Sequence, residues 1–222
     1  MKIALINEFS QASKNEIILS TLKKVVEPLG HTVYNTGMQQ IDNPNDLPSD
    51  YTPENPRLTY LHIGIQAALL LNSKAVDFVV TGCGTGQGAL MSCNMYPGVV
   101  CGYCIEPTDA YLFLQINDGN ALSIPYAKGF GWGAEINLEN IFTRAFSSPK
   151  GMGYPTDRKE SQNRNVRLLD DVKRRVAKPL PDIIRALDPE MVKTALTGHF
   201  LDCFYANCQD PELEALVRKF AE

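Results

Sequence analysis

The sequence lacks any apolar run of about 18 residues, which is the length that a membrane-spanning helix requires. Its apolar start, MKIALI, is soon followed by charge at Glu8 and is too short for a secretory signal. Runs of lysine and arginine are also missing, and the formal net charge is −4, whereas a nucleic-acid partner requires a basic surface. These absences predict a cytoplasmic protein that has neither a membrane nor a nucleic-acid partner.

The six cysteines have neither the spacing of a disulfide framework nor that of a zinc site. Cys101 and Cys104 form a CxxC pair, but they fall in a predicted strand, where residues three apart point to opposite faces of a sheet. We therefore expect reduced cysteines, no metal and no cofactor.

Strand and helix patterns alternate through the first 147 residues. Strands are predicted at 2–6, 32–35, 75–80, 99–104 and 120–124, and the helices between them include 58–73, 107–117 and 134–146. Ser13 and Glu16 have the spacing of a capping box at the start of the first helix. This alternation predicts an α/β fold with a Rossmann-like, doubly wound parallel sheet of five strands.

Two segments differ from that pattern. Residues 38–57 contain four prolines and predict a long loop. Residues 148–222 contain no strand pattern, and two Asp-Pro-Glu sequences, at Asp188 and Asp210, each predict the start of a helix. We interpret 1–147 as one domain and 148–222 as a helical C-terminal extension.

The most distinctive sequence is GCGTGQG, from Gly82 to Gly88, which follows the third predicted strand. Its glycines let the backbone approach a ligand closely, and its N–H groups, together with the next helix N-terminus, suit an anion. It lacks the Gly-Lys-Ser/Thr of a P-loop and follows the wrong strand for a dinucleotide fingerprint. Ligands bind at the carboxyl edge of such sheets, so we expect Asn7, Glu8 and residues 125–133 beside this turn.

Cys83 lies within this turn, and physical reasoning alone leaves its role open. A helix N-terminus favours the thiolate, which would make Cys83 a nucleophile or a general base. A free cysteine is as commonly a small buried apolar residue, here closing a tight turn.

The segments GCGTGQG and CNMYPGVVCGYCIEPTDAYLFLQINDGNAL resemble the ribose-5-phosphate isomerase B and galactose-6-phosphate isomerase family. The resemblance extends over residues 1–146. It implies an aldose–ketose isomerase in which Cys83 is the base that moves a proton through a cis-enediolate. It also implies that the N–H groups around Gly84, Thr85 and Gly86 stabilise the enediolate oxygen.

Further site residues follow from the resemblance and from the sheet edge. Thr85 would bind a substrate hydroxyl, and Glu8 is a candidate second acid or base. The expected substrate contacts are Asn7, Tyr60, Gly84, Gly86, Gly88, Asn94, Asn117 and Lys128, the last as the basic residue nearest to the site. Family members are dimers or tetramers with sites near the subunit interface, which implies a homodimer or homotetramer here.

The sequence also departs from the family. The Asp-His pair after the first strand is replaced by Glu8 and Phe9, and the histidine that opens the sugar ring is replaced by Ile116. The phosphate-binding arginine has no clear match, although Arg158, Arg164 or Arg167 lie farther along the chain.

These departures favour an open-chain sugar acid over a cyclic sugar phosphate. MKIALINEFSQASKN, in addition, resembles members that isomerise 4-deoxy-5-hexosulose uronate. A sugar phosphate is the other substrate considered. The rival classes are a non-catalytic module that binds a sugar acid or nucleotide, and a thiol redox protein that pairs Cys83 with Cys93.

Overall fold

The computed structural model describes residues 1–38 and 56–221, so most of the loop predicted at 38–57 lies outside the described residues. A five-stranded sheet contains β1 (Lys2–Asn7), β2 (Thr32–Asn35), β3 (Phe78–Cys83), β4 (Cys101–Tyr103) and β5 (Ala121–Pro125). The strand order is β2-β1-β3-β5-β4, and every neighbouring pair is parallel. The predicted α/β fold with a parallel sheet of five strands is confirmed.

Helices cover both faces of this sheet. In the first part of the chain they are α1 (Asn15–Val26), α2 (Tyr60–Asn72), α3 (Gln87–Asn94), α4 (Pro107–Asn117) and α5 (Ala134–Phe146). Ile3 and Leu5 of β1 pack with α1, α4 and α5, whereas Ala4 and Ile6 pack with α2 and α3. Because both faces are covered, β1 is a continuous apolar run rather than an alternating one.

The start of the first helix differs from the prediction. Phe9–Lys14 form a 3₁₀ helix, and α1 begins only at Asn15, so the capping box expected at Ser13 is wrong. The carboxylate of Glu8 caps the 3₁₀ helix by accepting the N–H of Ser10. A capping side chain thus acts five residues earlier than expected, directly after β1.

The extension contains α6 (Lys159–Val176), α7 (Leu180–Ala186), α8 (Pro189–Ala195), α9 (His199–Asn207) and α10 (Pro211–Ala221). Asp188 and Asp210 accept N–H groups from the first turns of α8 and α10, which confirms both predicted helix starts. Helices α7 to α10 share the hydrophobic core of α2 and α3. Within the described residues, no helix is both long and apolar enough to cross a membrane.

Candidate active site

The carboxyl ends of β1, β3 and β5 meet at one edge of the sheet. Asn7 of β1 lies opposite Gly82 of β3, and Cys83 lies opposite Pro125 of β5. The turn after β3, the segment after β1 and the loop after β5 therefore lie at this same edge.

Cys83 is the last residue of β3, and α3 begins four residues later at Gln87. The sequence placed Cys83 in the turn at a helix N-terminus, so the strand extends farther than expected. The Cys83 carbonyl accepts the N–H groups of Gly86, at 3.2 Å, and Tyr126, at 3.0 Å. Its buried thiol sulfur lies 4.0 Å from the Thr85 hydroxyl oxygen. A fixed backbone thus holds the thiol beside a hydroxyl group.

The turn after Cys83 has unused backbone donors. Across residues 1–38 and 56–221, the N–H groups of Gly84, Thr85 and Gly88 have no hydrogen-bond acceptor. The N–H of Gly86 is occupied, and that of Gln87 faces the Thr85 hydroxyl oxygen at 3.3 Å. Unpaired N–H groups in a turn that leads into a helix suit an anion or oxyanion.

Two glycines shape this turn for different steric reasons. Gly86 has a φ of +72°, and a Cβ there would lie 2.7 Å from a ring carbon of Tyr103. A Cβ at Gly88 would lie 2.9 Å from the ring of Tyr60, so that ring packs directly on the Gly88 backbone. Tyr60 is nevertheless exposed at the N-terminus of α2, which places its ring at the rim of the turn.

Glu8 has a buried carboxylate at this edge. One oxygen accepts the N–H of Ser10 at 2.9 Å, and the other accepts the Ser10 hydroxyl in a short hydrogen bond. Burial raises the pKa of Glu8, and the bonds to Ser10 oppose that rise. A buried carboxyl whose charged form is disfavoured can hold or release a proton, which fits an acid or base.

Asn7 has a fully buried side chain whose amide nitrogen and oxygen both lack a partner among the described residues. The buried hydroxyl of Tyr126 also lacks one. The Tyr126 ring fills the space that a Cβ at Gly82 would occupy, and Gly82 is the register partner of Asn7. Buried polar groups are normally paired, so the Asn7 amide and the Tyr126 hydroxyl are available to bond a ligand.

Gln11 and Lys14 of the 3₁₀ helix also lie at this edge, and neither was predicted from the sequence as a site residue. The Gln11 amide nitrogen lies 3.6 Å from the position of a Cβ on Gly84, and its oxygen accepts the Lys14 ammonium at 2.8 Å. Lys14 also donates to the carbonyl of Tyr126. The only available signal was their place after β1, because the predicted capping box assigned this segment to a helix start.

Asn94 and Asn117 do not join this site within one chain. Asn94 bonds both backbone groups of Cys101 at the start of β4, and Asn117 ends α4 just before β5. Both line a cavity of about 610 Å³ at the amino edge of the sheet. Lys128 is exposed in the loop after β5, at the edge that holds Cys83.

The remaining cysteines do not pair with Cys83. Cys101 and Cys104 belong to the cores on opposite faces of the sheet, as predicted for the CxxC pair. Cys93 shares a core with Cys101, and its neighbour Asn94 bonds the backbone of Cys101 at the start of β4, so Cys93 lies near the amino edge. This placement disfavours a Cys83–Cys93 redox pair.

Comparison with known proteins agrees with this fold. The family model described as Ribose/Galactose Isomerase matches residues 3–148. The chain belongs to this family of sugar isomerases. A second model, described as Ribose-5-phosphate isomerase, matches residues 176–220 in the extension. The family resemblance seen in the sequence is confirmed.

Two solved structures are similar over nearly the whole chain. A ribose-5-phosphate isomerase from Vibrio parahaemolyticus is 53% identical, with a TM-score of 0.91 and 99% of each chain covered. A 4-deoxy-L-threo-5-hexosulose-uronate ketol-isomerase complexed with a tartrate is 46% identical, with a TM-score of 0.92 and 99% of each chain covered. Ribose-5-phosphate isomerase B of Escherichia coli is 36% identical over 72 residues, which span 32% of this chain and 48% of that relative.

Proposed function

We propose that this family member is an aldose–ketose isomerase in which Cys83 is the general base. The observation that carries the proposal is the buried thiol directly followed by the free N–H groups of Gly84 and Thr85. The thiolate takes the proton from the carbon beside the carbonyl, and the carbonyl oxygen becomes the enediolate oxygen. The free N–H groups stabilise that charge, and the thiol returns the proton to the neighbouring carbon.

The same reaction moves a hydroxyl proton between the two oxygens, which requires a second acid or base. Glu8 is the buried carboxyl at this edge, and burial raises its pKa, which favours a group that can hold and release a proton. The hydroxyl oxygen of Thr85 lies 4.0 Å from the thiol sulfur, where it can contact a substrate hydroxyl. Tyr60, Gly88 and the unpaired amide of Asn7 supply further contacts to the sugar.

For the substrate we propose an open-chain 4-deoxy-5-hexosulose uronate. The family histidines are replaced by Phe9 and Ile116, whose hydrocarbon side chains have no proton to give to a sugar ring. Phe9 packs against Ala12, Met38 and Leu58. A substrate that is already open needs no such proton. The 46% identical ketol-isomerase for this uronate supports the assignment.

An assay of the purified protein with two substrates tests this. We expect kcat/KM for the uronate to exceed that for ribose 5-phosphate by about 100-fold, because a site without a ring-opening group is mismatched to the cyclic sugar. Product formation is followed by NMR for both substrates under the same conditions. Efficient isomerisation of ribose 5-phosphate with no reaction of the uronate would exclude the substrate proposed here.

We further propose that the working protein is a homo-oligomer in which Asn117 of one copy faces Cys83 of another. Asn117 and Cys83 lie at opposite edges of the sheet, and the six residues of β3 separate these edges by roughly 17 Å at about 3.3 Å per residue. Asn117 is exposed, so a second copy can reach it. A symmetric pair would supply the contact that one chain lacks.

Subunit mixing tests this arrangement. Cys83→Ser and Asn117→Ala should each be nearly inactive alone. After exchange of equal amounts, about one quarter of wild-type activity should return, because half of the two-fold dimers then contain one intact site of two. Exchange is verified by native mass spectrometry of differently tagged chains. If exchanged dimers stay inactive, Asn117 does not act across the interface.

A further inference from the structure

The ammonium of Lys14 lies among uncharged groups at the carboxyl edge. Its ammonium donates to the Gln11 side-chain oxygen at 2.8 Å and to the Tyr126 carbonyl, and it lies 4.9 Å from the centre of the Phe130 ring. All of these partners are uncharged. No carboxylate of the described residues lies within ion-pair distance, and burial lowers the pKa of Lys14.

A partly buried cation without a counter-ion is costly unless something else compensates its charge. The two neutral oxygens compensate part of this cost, and the ring face adds a weaker attraction. Two lysines, Lys24 and Lys150, have carboxylate partners in Glu139 and Asp118, and the partly buried Lys173 resembles Lys14 in donating to a backbone carbonyl instead. Among the described residues, the charge of Lys14 therefore has no anionic partner.

This ammonium lies close to the turn that contains Cys83. Tyr126, whose carbonyl accepts from Lys14, donates its own N–H to the Cys83 carbonyl at 3.0 Å. Gln11, the other partner of Lys14, lies beside Gly84. The backbone N–H of Gly84 has no acceptor among the described residues. Tyr126 and Gln11 thus each contact both Lys14 and the turn that begins at Cys83.

The orientation of the Gln11 side chain adds an independent argument. Its oxygen faces Lys14, and its nitrogen donates to the Ser10 hydroxyl at 2.9 Å. That hydroxyl in turn donates to the Glu8 carboxylate. The amide dipole is therefore aligned with its negative end on the cation and its positive end toward the anion, and it keeps Lys14 and Glu8 apart.

We propose that Lys14 is the counter-charge for the anionic end of the substrate, and that this end is a carboxylate. The inference rests on the proposed function and deepens it. Lys14 provides one partly buried positive charge, which matches a carboxylate, and Lys128 at the same edge is exposed. A phosphate dianion, by contrast, favours paired or forked cationic donors. The unpaired amide of Asn7 and the free turn N–H groups provide polar contacts for the rest of the same molecule.

Tartrate, a small hydroxy dicarboxylate, is the probe for this site. In calorimetric titrations of the full-length protein, Lys14→Met should weaken tartrate binding about 10- to 100-fold, the range expected for loss of a hydrogen bond to a charged group. Lys14→Arg keeps the charge and should retain most of the affinity. Lys193→Met removes an exposed charge on α8 and should change nothing.

Three results would overturn the assignment. The first is unchanged tartrate affinity in Lys14→Met, provided that its circular dichroism matches the wild type. The second is no measurable tartrate binding by the wild type. The third is an equal loss of inorganic phosphate binding, which would contradict the preference for a carboxylate. Because binding is measured without turnover, a protein that binds tartrate through Lys14 but isomerises neither substrate would refute only the proposed function.

Discussion

Cys83→Ser should lower kcat for isomerisation by about 10²- to 10⁴-fold, the range that general acid–base groups contribute. A serine hydroxyl has almost the size of the thiol but is a far weaker acid, so little of it is ionised at neutral pH. The buried position and the backbone bonds of Cys83 do not depend on sulfur. The fold and tartrate affinity should therefore be preserved while turnover is lost, as measured by steady-state kinetics and calorimetry.

Cys208→Ser is the matched control. Cys208 is half-buried at the end of α9, where its thiol donates to the carbonyl of Asp210, a bond that serine can also make. Its turnover should equal that of the wild type. A Cys83→Ser enzyme that retains full kcat would eliminate the thiol as the base. A wild type that binds tartrate but turns over no sugar would instead favour the non-catalytic module.

The sequence predicted well those elements whose ends are marked by local chemistry. The bounds of α4 and α5 agree with the prediction at 107–117 and 134–146. Pro107 occupies the first turn of α4, and Glu106 and Asp109 cap each other's backbone groups there. These signals depend on residues within one turn, so they can be read without knowledge of the fold.

The end of β3 could not be predicted in this way. The apolar run suggested residues 75–80, yet the strand covers Phe78–Cys83 because the sheet continues through Gly82. A Cβ at Gly82 would lie 2.1 Å from the carbonyl oxygen of Ile124 on β5. Glycine here permits a close approach of two strands, whereas in a sequence it reads as the start of a turn.

The candidate site was predicted only in part, for a related reason. The sheet edge correctly grouped Asn7, Glu8 and Cys83, since parallel strands bring their carboxyl ends together. Asn117 was assigned to the same site by the family resemblance. A resemblance does not tell whether a site residue comes from the same copy of the chain or from a second copy. Lys14 was missed because its role depends on contacts with Tyr126, which is distant in sequence.

At Glu8 the requirements of stability and of function conflict, because a charged carboxylate is buried there. Burial disfavours its carboxylate, and two hydrogen bonds from Ser10 only partly offset that cost. Capping the 3₁₀ helix does not require a charge, because an amide oxygen accepts the Ser10 N–H equally well. A charge kept at an energetic cost is typical of a residue that acts on a ligand.

Glu8→Gln should therefore lower kcat by about 100-fold, as expected for loss of an acid–base group, without lowering stability at neutral pH. The folded protein raises the pKa of Glu8 above its ordinary value of 4.5, so it binds this proton more tightly than the unfolded chain does. The contribution of Glu8 to stability is then fully present below that ordinary pKa and is lost as the pH rises through the folded-state pKa. Glutamine does not titrate, so urea denaturation between pH 4 and pH 8 should show the stability of the variant rising relative to the wild type across this window, then levelling off. A wild type whose advantage over Glu8→Gln grows with pH would mean that the carboxylate is a stabilising cap, and the second acid or base would then have to be another group.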